Sequence, residues 1–285
     1  MTKNLINLNY NGNIDKNLLL KCRLRQFPCG EFEFSIQEDI SDCEIEIYQT
    51  FSVGKFNDDL MKLQIVCDVL KRNNVKSISY FAPFLPYTRQ DRTYNLTSSL
   101  GSKLVADIIN NCGISKITTY DFHVLQMEGF FKGQVYNLSA IPLFLDDIEK
   151  KFNKNDIVIV FPDAGSASRF KRFFDDTEYE IAIIQKTRKD DNIYMKILGE
   201  VENKTAIIID DMIDSGGTII EASKILENHN ANDIYVYATH GVFSCNFFDK
   251  ITNNEKIKEI TTTNSIKNNI DCDKLKIIDL ISDIK

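Results

Sequence analysis

The stretch Ala206-Ile-Ile-Ile-Asp-Asp-Met-Ile-Asp-Ser-Gly-Gly-Thr218 decides how the chain folds. An apolar β-branched run reads as a buried strand over 205–209, and a helix over 218–227 follows the glycine pair. Gly216 and Gly217 carry no Cβ, so the backbone can turn tightly and bring its N–H groups close to an anion. The helix N-terminus beyond them adds a favourable dipole. Asp210 and Asp211 stand at the carboxyl end of the strand, the edge where open α/β sheets bind ligands, and can accept hydrogen bonds from the vicinal hydroxyls of a ribose. Asp214, Ser215 and Thr218 complete a cradle suited to a phosphate. Phosphate plus ribose points to a sugar phosphate. An ordinary strand-to-helix turn would share the glycines but has no need of this ordered set of acids and hydroxyls.

Working outward, short β-branched runs alternate with helical patterns from Glu44 to Thr239, the signature of βα units building parallel sheets. Glu44 to Phe51 alternates as a strand. Asn57-Asp-Asp-Leu60 opens a helix, with Asn57 as its cap, two acids in the first turn, and Lys71 and Arg72 at its end, as the helix dipole prefers. Strands are expected at 76–82 and 115–120, with a helix at 98–111 between them. A helix over 142–152 leads to a second series of strands at 157–161, 180–185, 194–198, 205–209 and 234–238. The expected class is α/β: two similar domains, 1–140 and 141–285, each a mainly parallel sheet flanked by helices, with a boundary near 134–141.

The 285 residues carry 34 Lys+Arg against 41 Asp+Glu, a net charge of −7, which argues against a nucleic-acid partner. No run approaches the ~20 apolar residues that cross a bilayer, and the first residues lack a secretory signal, so the expectation is a cytoplasmic protein with no membrane partner. Seven cysteines without a C-x-x-C pair suit reduced thiols.

Further motifs follow in order. Tyr87-Thr-Arg-Gln-Asp-Arg92 lies after a strand and a Pro83–Pro86 segment, and its Arg forks suit a polyphosphate, although a solvated charge cluster would look the same. Asp121-Phe-His123 and Phe161-Pro-Asp163 each end a strand. Lys186-Thr-Arg-Lys-Asp-Asp-Asn192 reads as a polar loop between strands. Phe27-Pro-Cys-Gly-Glu31 offers an aromatic face and a carboxylate, and Phe27 and Phe32 equally suit a core. With Gln126-Met-Glu-Gly-Phe-Phe131 and Ala238-Thr-His240, these motifs resemble, in order and spacing, those of the ribose-phosphate pyrophosphokinase family, from about Phe27 to Ile266.

The resemblance implies transfer of a diphosphoryl group from ATP to ribose 5-phosphate, giving phosphoribosyl diphosphate and AMP, with Mg²⁺ as cofactor. It implies Lys186, Arg188 and His123 as catalytic residues and His123 and Asp163 as the magnesium-associated pair. Phe27, Cys29, Gly30, Glu31, Arg89, Gln90 and Arg92 then meet ATP, with Cys29 standing where the family usually has Asp. Arg188, Asp210, Asp211, Asp214, Ser215, Gly216, Gly217 and Thr218 meet ribose 5-phosphate. The family also implies a dimer-based homo-oligomer, a hexamer being one such assembly, in which Phe27 and Glu31 reach a neighbour's nucleotide. A phosphoribosyltransferase and a catalytically silent regulatory homologue are the alternatives. The short segments before Phe27 and after Ile277 leave allosteric control open.

Overall fold

In the structure, a computed structural model, residues 4–189, 192–252 and 254–280 are described, apart from the side chains of 186–189, 192–195 and 252. The chain divides into two units. One runs to Leu138 and takes in Ser265–Lys267 and Leu280; the other covers Ser139–Asn264 and Asn268–Asp279.

The first unit contains β1 (Asn4–Leu8), the hairpin β2 (Cys22–Gln26) and β3 (Phe32–Ile36), then β4 (Glu44–Gln49), β5 (Phe51–Ser52), α1 (Phe56–Arg72), β6 (Ser77–Phe81), α2 (Gly101–Asn111), β7 (Lys116–Tyr120) and β8 (Gln134–Leu138). Among the described residues, β1, β4, β6, β7 and β8 pair in that order, all parallel. The stretch expected to hold the boundary thus includes an edge strand. Alternation in β4 buries Ile45 and Ile47 on one face. From α1, Leu63, Val66 and Leu70 recur at helical spacing and are also fully buried.

Helix α1 corrects one expectation. It starts at Phe56, and its N-cap is Lys55, which makes no side-chain cap bond. Asn57 is drawn away by Tyr87, whose hydroxyl donates to Asn57 Oδ1 at 2.7 Å. The second acid, Asp59, instead accepts from Ser52 N–H and Lys62 Nζ, each at 2.8 Å, so a buried carboxylate ties helix to strand. Helix α2 starts at Gly101 rather than Ser98, because the Ser98 hydroxyl accepts the N–H groups of Tyr94 and Asn95 and holds a turn there.

The second unit contains α3 (Ile141–Lys151), β9 (Ile157–Phe161), α4 (Ala164–Phe170), β10 (Glu180–Lys189), β11 (Asn192–Leu198), β12 (Thr205–Ile213), α5 (Gly217–Asn228), β13 (Ile234–Gly241), α6 (Phe247–Thr252) and β14 (Ile257–Thr263). The short β15 (Ile266–Lys267) returns to the first unit and pairs with β5, and β16 (Leu275–Ile278) closes the second. The second sheet runs β11-β10-β9-β12-β13-β14-β16 among the described residues, parallel except for the antiparallel β10–β11 pair. Every residue of β9 is buried, as befits a central parallel strand covered on both faces.

Two strands run further than the sequence suggests. Lys186 to Lys189, read as loop, continue β10 and pair with Asn192 to Met195 of β11. The β-branched Thr187 and Ile193 and the aromatic Tyr194 favour that pairing over a polar loop. Strand β12 continues through both acids to Ile213, so Asp210 and Asp211 lie inside it. The neighbouring strand β13 runs on to Gly241 and pairs Met212 and Ile213 with His240 and Gly241, which keeps the backbone bonds of the extension satisfied.

Candidate active site

The residues read from the sequence as a phosphate cradle form the end of β12, the turn after it and the first turn of α5. Helix α5 begins at Gly217, and its N-cap is Gly216 at φ +75°, which makes no side-chain cap bond. The first N–H groups of a twelve-residue helix therefore have no capping side chain of their own and suit an anion. The strict glycine is Gly216. A Cβ there would lie 2.0 Å from Phe247 Cδ2, in a backbone region that L-residues avoid. At Gly217 φ is not positive, and a Cβ would meet no atom closer than Ser215 Oγ at 4.0 Å. Gly216 is therefore required by the turn itself, whereas the turn leaves room for a side chain at Gly217. Lys250 Nζ, from α6, donates to the Ser215 carbonyl at 3.4 Å.

The two acids at the foot of this loop are almost wholly buried, with side chains 9% and 2% exposed for Asp210 and Asp211. One guanidinium serves both. Arg169 Nη2 donates to Asp211 Oδ1 at 2.6 Å and to Asp210 Oδ1 at 3.3 Å, and the Asp211 N–H donates to Asp210 Oδ1 at 2.9 Å. Burial, reinforced by the neighbouring Asp211 charge, pushes the Asp210 carboxyl well above its ordinary value against the pull of Arg169. Arg169 carries no sequence motif and was not among the expected site residues.

Helix α4 holds that guanidinium in place. Asp163 is its N-cap and accepts from the Ser166 N–H at 2.8 Å, while the Ser166 hydroxyl donates to the Ile209 carbonyl of β12 at 2.6 Å. Such a cap contributes about 1 kcal/mol. Asp163 is half-buried, and this bond engages one oxygen of its carboxylate. That donor set suits a hard cation such as Mg²⁺ held mainly by water and substrate oxygens. Among the described residues, no group of three or more His, Cys, Asp or Glu side chains gathers into an all-protein metal cage.

In the first unit, His123 follows β7 through Asp121, a buried residue at φ +37°, a conformation that costs of order 1 kcal/mol outside glycine. The bend is fixed on both sides. Asp121 N–H donates to Leu138 O at 2.9 Å, Phe122 N–H donates to Asn137 Oδ1 at 3.1 Å, and the Phe122 ring stacks on Phe131. His123 itself is half-buried.

The expected nucleotide residues form two exposed segments held by different neighbours. Phe27 to Glu31 is the β2–β3 turn, closed by Phe27 N–H to Glu31 O at 2.8 Å and Gly30 N–H to Phe27 O at 2.9 Å. Arg25 lies 4.5 Å from the Phe27 ring centroid, and Phe34 rather than Phe27 or Phe32 is the buried aromatic of this hairpin. Cys29 and Glu31 are exposed. In the second segment the Ser102 hydroxyl donates to Gln90 O at 2.9 Å, and the Gln90 side chain lies over Gly101. Arg89 and Arg92 are exposed. Lys186 and Arg188 stand two residues apart in β10, and their side chains lie outside the described residues.

Comparison with known proteins adds an independent line. Residues 12–113 match the family profile described as the N-terminal domain of ribose phosphate pyrophosphokinase, and residues 187–284 match the phosphoribosyl synthetase-associated domain. The chain is 39% identical to a ribose-phosphate pyrophosphokinase of Bacillus cereus over 248 residues, covering 86% of this chain and 77% of that one. It is 38% identical to that of Bacillus subtilis over 249 residues, covering 87% and 78%. Its fold superposes on the crystal structure of phosphoribosylpyrophosphate synthetase from Mycobacterium smegmatis with a TM-score of 0.87 at 28% identity, covering 98% of this chain and 95% of that one.

Proposed function

Because this chain belongs to the ribose-phosphate pyrophosphokinase family, we propose that it moves the β,γ-diphosphoryl group of ATP to the 1-hydroxyl of ribose 5-phosphate. The hydroxyl oxygen bonds to the β-phosphorus, the bond from that phosphorus to the AMP oxygen breaks, and the hydroxyl proton leaves to solvent. The products are phosphoribosyl diphosphate and AMP. The observation that carries the reading is the loop from Asp210 to Thr218, where a pair of buried acids stands beside an uncapped helix N-terminus. The acids accept from the sugar's vicinal hydroxyls, and the N–H groups of α5, with Asp214, Ser215 and Thr218, receive its 5-phosphate.

Such a transfer needs in-line positioning and neutralisation of phosphate charge rather than a covalent intermediate. Lys186 and Arg188 place positive charge on the reacting phosphates, Arg188 also meets the sugar phosphate, and His123 hydrogen-bonds to phosphate. Asp163 would hold Mg²⁺, with His123 as the other associated residue. When bound, the cation neutralises polyphosphate charge. Phe27, Cys29, Gly30 and Glu31 meet adenine together with Arg89 and Gln90, and Arg92 meets the phosphates of ATP. A dimer-based homo-oligomer, in which Phe27 and Glu31 serve a neighbour's nucleotide, and a cytoplasmic location belong to the same proposal. Among the described residues, no helix is long and apolar enough to cross a membrane.

An assay of AMP release tests the function. AMP should form from ATP and Mg²⁺ only when ribose 5-phosphate is present. AMP formation without the sugar, or none with it, contradicts the proposal.

A further inference from the structure

Asp210 and Asp211 present a problem that the loop alone does not solve. Two carboxylates adjacent in sequence are both buried, and Asp163 adds a third negative charge that acts on Asp210. Left to themselves, such a pair shares a proton, because like charges in a low-dielectric site resist joint ionisation. A protonated carboxyl gives up part of its acceptor capacity, and a sugar diol that donates two hydroxyl protons then meets a poorer partner. The Arg169 guanidinium opposes that proton uptake without cancelling it, and it fixes where both acids point. A single nitrogen, Nη2, reaches Oδ1 of both acids. Its helix is itself anchored to β12 through Ser166 and the Asp163 cap, so the guanidinium is placed before any ligand arrives.

We infer that Arg169 is a positioning and specificity-determining residue: its guanidinium holds Asp210 and Asp211 as a paired acceptor for the sugar's vicinal hydroxyls, and thereby sets the preference for a 2,3-diol over a 2-deoxy sugar. The inference rests on assigning ribose 5-phosphate to this loop. A carboxylate oxygen fixed to receive the 2-hydroxyl is left unpaired by a 2-deoxy sugar, and sites built to hydrogen-bond a substrate hydroxyl reject analogues that lack it. If the pair can relax or take up a proton, that rejection weakens. A lysine at the same position keeps the charge but lacks the planar fork and the reach.

The test measures, by calorimetry, the affinities of ribose 5-phosphate, 2-deoxyribose 5-phosphate and ATP for the wild-type chain, Arg169→Lys and Arg169→Met. The wild type should prefer the ribose sugar by about ten- to a hundredfold, the size of a hydrogen bond to a charged group. Arg169→Met should bring the two sugars to within about twofold, Arg169→Lys should fall between, and ATP affinity should stay put in both. An unchanged sugar ratio in Arg169→Met overturns the inference, as does an unchanged ratio in Arg169→Lys should the methionine variant fail to fold. A folded wild type that binds neither sugar overturns the assignment of the loop itself, a result distinguishable from the first because it appears before any substitution is made.

Discussion

The proposed sugar side and the proposed nucleotide side of this protein are built in opposite ways. Around Asp210, charge is buried, shared among three side chains and anchored through a helix cap to a central strand. Around Phe27 and Arg89, the charged and aromatic groups are largely exposed, and short-range turn bonds hold their backbones. Buried charge is costly and rigid, whereas exposed charge is cheap and adaptable. On the proposed assignment, the first would discriminate between ligands by hydroxyl pattern, and the second would gain its specificity when ligand or partner covers it.

The sharpest way to break this comparison is to remove the counter-charge. Arg169→Met removes the guanidinium that two buried carboxylates share and should cost about 3–5 kcal/mol in urea unfolding, whereas Arg92→Ala should stay within about 0.5 kcal/mol. Equal effects would mean that the buried cluster is not what holds this region.

Next comes the loop. Gly216→Ala forces a Cβ into the Phe247 ring at a positive φ and should cost roughly 2–4 kcal/mol. Gly217→Val, with no such clash, should leave a folded protein that no longer binds ribose 5-phosphate, because the side chain blocks the approach to the helix N-terminus. Thermal melts and calorimetry on both variants check this split, and a folded Gly217→Val with wild-type affinity would contradict it.

A pH series sharpens the comparison further. The Asp210 carboxyl is raised above its ordinary 3.8, so the folded state binds its proton more readily than the unfolded state does. As pH falls from the folded value toward about 3.8, this residue therefore adds stability to the native state, and as pH rises through the folded value that contribution is lost. Asp210→Asn should abolish it. Relative to wild type, the variant should be at its most favourable at neutral pH and lose ground on acidification, as urea midpoints at several pH values will show. A constant difference across that window would contradict the burial argument. The smallest effect belongs to the hairpin turn. Phe27→Ala should change stability by about 1 kcal/mol or less and should weaken ATP binding.

How much of this was legible in the sequence depends on range. The proposed phosphate loop stands out because its parts are consecutive, from Asp210 to Thr218. Arg169 does not, because it reaches Asp210 across a sequence separation of 41 residues and belongs to a helix of seven. The continuation of β10 through Lys186 to Lys189 was hidden by its polar composition rather than by range, since its partners in β11 lie only three to nine residues away. The cap of α1 was misplaced for the reason that hid Arg169: Asn57 suits a cap by propensity, but Tyr87, thirty residues on, takes its side chain.

Diphosphoryl transfer to a sugar moves the β-phosphorus of ATP, and the fate of that atom reports on the reaction. With ATP labelled at that atom and ribose 5-phosphate as acceptor, the label should appear in phosphoribosyl diphosphate, matched mole for mole by AMP. Label retained in ADP, with phosphate transferred singly, would contradict the account.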